Sequence, residues 1–149
     1  MCSWQTGPVA SAITFEVNRS IRSVVPVVNG RPLTELVADF ESAAGMEPSG
    51  GYGGVFHVKQ RFGPLDDYYR GAATAWSDDG FVELLSCEGC GEAGCWPLAV
   101  EIRVAGDTVS WTSFRQPHRP ERDYSEFGPF TFSRAEYMAA VNAAADAIT

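Results

Sequence analysis

Three strand-length, apolar-rich runs follow one another in the second half of the chain: Phe81 to Ser86, Leu98 to Val104 and Thr108 to Phe114. Ala105-Gly106-Asp107 is too short to be anything but a hairpin turn between the second and third. The segment between the first and second is also short, so all three strands must run antiparallel. A chain carrying this run has to build an antiparallel sheet and cover at least one of its faces.

The remaining signals supply the cover. Ile13 to Val17 alternates apolar and polar residues as a half-buried strand does, and Val24 to Val28 is apolar throughout, as suits a buried one. Asn29-Gly30 provides a tight turn, and Pro32 fits the first turn of a helix. Leu33, Leu36, Val37 and Phe40 then recur at helical spacing, with Gly45 as the terminator. Ser49 to Gly54, dense in glycine, reads as loop, Val55-Phe56-His57-Val58 as a short strand, and Gly63 to Tyr69 as irregular chain with one helical turn. Near the C-terminus Ser133 and Glu136 form a capping box ahead of Tyr137, Val141, Ala144, Ala145 and Ile148, the apolar stripe of a final helix. The expectation is an α+β fold: one domain over residues 1–149, an antiparallel sheet with helices packed on one face, and a loose N-terminal segment over residues 1–10.

Composition narrows the functional classes. With 149 residues, 45% hydrophobic and 20% charged, the chain can bury about 68–70% of its unfolded surface in a single core. No apolar run reaches the roughly 18 residues of a membrane span. Met1-Cys2-Ser3-Trp4-Gln5 has neither the basic nor the apolar region of a secretory signal, which points to a cytoplasmic setting. Eleven basic residues against nineteen acidic ones give a net charge of −8, which argues against nucleic acid or an anionic membrane as partner. A protein partner or a small anionic ligand held by local arginines stays open.

Two segments bear chemistry. Cys87, Cys90 and Cys95 fall within nine residues, the first two in the C-x-x-C-G form of a metal knuckle. With His118 as fourth ligand, or His57 in reserve, they could supply the donor set of a structural zinc ion. The competing readings are small buried side chains in a tight hairpin and a redox pair or disulfide. The second segment, Arg115 to Tyr124, holds Arg115, Arg119 and Arg122 together with His118 between Pro117 and Pro120. Guanidinium forks suit carboxylate or phosphate, and His118 is able to change charge near neutral pH. The alternative is a braced surface loop whose arginines pair with Glu121, Asp123 and Glu126.

Tyr52 stands at the tip of the glycine loop, where a side chain is placed to cover a ligand; that loop lacks the spacing of a phosphate loop and implies close backbone approach or a lid. No G-x-S-x-G or H-E-x-x-H occurs, and the adjacent pairs Asp66-Asp67 and Asp78-Asp79 are not ready carboxylate dyads. Trp96, Trp111, Phe114, Phe127, Phe130 and Phe132 read mainly as core.

Val28-Asn29-Gly30-Arg31-Pro32-Leu33, Gly50-Gly51-Tyr52-Gly53-Gly54, Cys90 to Leu98, Gln116-Pro117-His118-Arg119 and Phe127-Gly128-Pro129-Phe130-Thr131-Phe132 form a combination of motifs (NGRxL, GGYxG, CGxxGCWPL, QPHR, FGPFxF). In these the chain resembles an uncharacterised family of small bacterial proteins, over about Val24 to Val141. The resemblance implies a bacterial cytoplasmic protein and carries no activity. The functional expectation is a non-catalytic binding or interaction domain, with the cysteine hairpin and the Gln116–Arg122 loop as one polar edge. A small enzyme acting on an anionic molecule through His118 and its neighbouring arginines is the alternative.

Overall fold

The structure, a computed structural model, describes residues 10–56, 65–71, 81–87 and 97–148. The N-terminal nine residues, Cys2 among them, lie outside this set, as do His57, Val58, Asp78, Asp79, Cys90, Cys95 and Trp96.

Strands β1 (Ile13–Asn18) and β2 (Ser23–Val28) form an antiparallel hairpin in which Ile13 faces Val28 and Val17 faces Val24. Asn29 and Gly30 both take positive φ, 52° and 82°, as the tight turn requires. The chain then folds back as β3 (Arg31–Pro32) along β2. Pro32 is therefore the N-cap of helix α1 (Leu33–Ala43), one position before the first turn the sequence suggested. Gly45, at φ 78°, ends the helix as expected, and the Met46 N–H closes back on the Glu41 carbonyl.

The glycine loop is not all loop. β4 (Tyr52–Gly53) pairs with β6 (Phe81–Cys87), and β5 (Val55–Phe56) pairs with β2. Gly54, between them, approaches the Val24 backbone so closely that a Cβ would stand 2.9 Å from its carbonyl oxygen. The expected single helical turn is α2 (Leu65–Tyr68). β6, β7 (Leu98–Ala105) and β8 (Thr108–Arg115) are the three successive antiparallel strands, and β9 (Phe130–Ser133), not expected as a strand, adds to the edge of β8. Helix α3 (Arg134–Ile148) starts with the Glu136 N–H bonded to the Ser133 hydroxyl, the first half of the capping box.

The result is α+β, with the antiparallel strands divided between a sheet of β1, β2, β3 and β5 and a sheet in the order β4-β6-β7-β8-β9. One continuous core joins them. Tyr137, Val141, Ala144 and Ile148 bury the expected face of α3, which packs mainly on β1. Trp111, fully buried, donates its indole N–H to the Tyr137 hydroxyl at 3.1 Å, and that hydroxyl donates to the Tyr69 carbonyl at 2.6 Å, so the indole N–H and the Tyr137 hydroxyl are both satisfied. No helix among the described residues is long and apolar enough to cross a membrane.

Candidate functional site

Strand register brings the sequence-nominated segments to one end of the larger sheet. Tyr52 faces Cys87, Leu85 faces Leu98, and Ala99 faces Arg115. The start of β4, the end of β6, the start of β7 and the end of β8 thus lie at the same end of the sheet.

A bulge decides which side chains of that last loop point inward. Along β8, Val109 and Trp111 are buried, and a strict alternation would bury residues 113 and 115 next. Instead the register against β7 slips by one residue between Glu101 and Ala99, and Ser113 takes φ 58°. The slip reverses the parity. Phe114 and Gln116 go inside, while Arg115 turns outward, where its guanidinium lies 3.9 Å from the centre of the Phe81 ring.

At the centre of this end sits Glu41, fully buried on the inner face of α1. Its Oε1 accepts the Gly50 N–H at 2.8 Å, and its Oε2 accepts the hydroxyls of Tyr52 at 2.6 Å and Tyr124 at 2.5 Å. The Arg122 Nη1 lies 3.4 Å from the same Oε2, and its Nη2 donates to the Pro48 carbonyl at 2.7 Å. A buried carboxylate is costly unless paired and hydrogen-bonded, and here it has both. Burial first, and the bond to Glu41 second, push the Tyr52 and Tyr124 hydroxyls above the usual tyrosine pKa, so both stay protonated donors. Gln116, 1% exposed, lies beside the Tyr52 hydroxyl, and among the described residues neither of its amide atoms has a hydrogen-bond partner.

The nominated residues divide accordingly. Tyr52 and Arg122 meet on Glu41. Arg115 stands on Phe81, His118 is exposed, and Arg119, partly buried, donates its backbone N–H to the Gln116 carbonyl. Tyr52 is buried, not displayed at a loop tip. Of the proposed metal ligands, Cys90, Cys95 and the Cys87 side chain lie outside the described residues, and among the described residues no three His, Cys, Asp or Glu side chains group closely enough to hold a metal ion.

Glu41 is not among the residues the sequence nominates, and Gln116 and Tyr124 fall inside the Arg115 to Tyr124 segment without a role of their own. The signal for Glu41 was present: Leu33, Val37 and Glu41 recur every four residues, which places the carboxylate on the buried stripe. No family model, curated protein or solved structure matches the chain.

Proposed function

We propose that the protein is a non-catalytic binding domain of the bacterial cytoplasm, whose recognition edge is formed by the cysteine connection and the Gln116–Arg122 loop. The observation that carries this reading is the Glu41 cluster. Both oxygens of the carboxylate are occupied by donors, and the two tyrosines that touch it are held in their protonated form. Such a group fastens α1 and β4 to the loop after β8; it is not set up to exchange a proton with a substrate. The fastened loop presents His118 to solvent at low ordering cost, braced by Pro117 and Pro120. A zinc ion on Cys87, Cys90, Cys95 and His118 would cross-link the same edge, and the register that brings the β6–β7 connection and the end of β8 together supports that donor set.

The alternative, an enzyme acting on an anion through His118 with Arg115, Arg119 and Arg122, has less support, because Arg115 and Arg122 are engaged by Phe81 and Glu41. Following the His118 ring by NMR during titration with phosphate and small carboxylates tests the pair of readings. Saturable shifts without turnover of phosphate or carboxylate esters support a binding edge. Ester turnover that is abolished by His118→Ala establishes the enzyme instead.

A further inference from the structure

On the other side of the same loop, a groove of about 690 Å³ opens between the C-terminal end of α1 and residues 121–126. Phe40, Ala43, Ala44 and Met46 give it an apolar wall. Glu47, Glu121, Asp123 and Glu126 line it with carboxylates; all four are exposed, and no ion pair among the described residues compensates them. Arg122 also reaches the groove, but its charge is matched by Glu41 inside. The two walls are held in register by the Glu41–Tyr124 bond and by Phe40, which packs against Tyr124 and Phe127 with ring centres 5.8 and 5.2 Å apart.

The distribution of the charge identifies the occupant. Among the described residues no three potential ligands converge on one point, so the carboxylates do not form a cage for a metal ion. They are spread along an apolar wall, the pattern complementary to several cationic side chains on one backbone with apolar residues between them. We propose that this groove docks a basic segment of a protein partner, its lysine or arginine side chains meeting the acidic rim and an aliphatic side chain lying on the Phe40–Met46 wall. The inference rests on the reading of the protein as a binding domain and assigns the partner class at a second face of the loop.

Fluorescence anisotropy of a labelled Lys-Leu-Lys-Leu-Lys peptide titrated with the full chain tests it, with Glu-Leu-Glu-Leu-Glu as the opposite-charge probe. The lysine peptide is expected to bind saturably and more weakly as salt rises, and the glutamate peptide not to bind. Glu47→Lys/Glu126→Lys should weaken binding at least about tenfold, and so should Ala44→Trp, which fills the wall without altering charge. Glu16→Lys/Asp107→Lys makes the same change in net charge at exposed positions outside the groove and should stay within about twofold of the unmodified chain. Circular dichroism confirms that each variant is folded. Equal loss in both reversal pairs, indifference to Ala44→Trp, no binding at millimolar peptide, or displacement by micromolar calcium would each overturn the proposal. If the peptide fails while phosphate or carboxylate still shifts His118, the groove is wrong and the binding edge stands. If both fail, the binding reading falls as well.

Discussion

Tyr124, 83 residues downstream of Glu41, donates its phenolic hydroxyl to a carboxylate that no solvent reaches. Removing the acceptor takes a shared partner from two tyrosine hydroxyls, the Gly50 N–H and the Arg122 guanidinium together. Glu41→Leu is therefore expected to cost about 3–5 kcal/mol, the range for breaking a buried charged pair, and to lower Tm by roughly 10 °C. Tyr124→Phe removes one donor of several and should cost about 1–2 kcal/mol. Urea unfolding of the two variants checks the order; a Glu41→Leu protein as stable as the parent would mean the carboxylate is not an organising group.

Gln116 behaves in the opposite way. Its amide is buried without hydrogen-bond partners among the described residues, so exchanging it for an apolar side chain of similar length removes a desolvation penalty and no bond seen there. Gln116→Met should be neutral or stabilising by up to about 1 kcal/mol. A loss of more than that would show the amide to be bonded in solution, to water or to a ligand.

All five tyrosines, Tyr52, Tyr68, Tyr69, Tyr124 and Tyr137, have pKa values raised by burial above the ordinary 10.0. A raised tyrosine pKa favours the protonated, folded form, and that contribution is complete below the unfolded value of about 10. It is lost as pH rises from there toward the folded values. Stability should thus be insensitive to tyrosine ionisation through neutral pH and fall steeply above about pH 10. Absorbance of tyrosinate should rise in a single cooperative step together with loss of near-ultraviolet circular dichroism. Ionisation of any tyrosine well before that step would contradict the burial described.

Gly54→Ala places a methyl group 2.9 Å from the Val24 carbonyl oxygen and 3.0 Å from the Val24 nitrogen, atoms that cannot move without disturbing the β2–β5 pairing. A cost of about 1–3 kcal/mol is expected, as for overpacking elsewhere. Differential scanning calorimetry of the variant gives the answer; an unchanged Tm would place β5 away from β2.

The zinc reading of the cysteine segment requires about one ion per purified chain, retained on gel filtration and lost in Cys90→Ser. Elemental analysis of both proteins decides between metal and the packing or redox readings. A chain free of zinc, with three thiols titratable after unfolding and the fourth at Cys2, leaves packing as the role of the cysteines.

Periodicity carried the fold a long way. The hairpins of β1 with β2 and β7 with β8, and the helices α1 and α3, follow from alternation, spacing and caps. What stayed illegible was set by tertiary contact. β4 and β9 are strands because a neighbour offers them bonds, not because Tyr52-Gly53 or Phe130 to Ser133 insist on it. The bulge at Ser113 is invisible in a run of alternating residues, yet it alone explains why Gln116 is inside and Arg115 outside. Arg122 reads as an anion receptor because its partner, Glu41, is remote in the chain.

The Glu41 cluster also has a consequence for synthesis. As the chain leaves the ribosome, α1 emerges with a carboxylate on the face it must bury, and the groups that neutralise the cost arrive in two instalments, Gly50 and Tyr52 first, Arg122 and Tyr124 some seventy or more residues later. Until that second instalment, α1 carries an incompletely paired carboxylate on the face it must bury, so its docking is expected to be complete only once the C-terminal third of the chain has emerged.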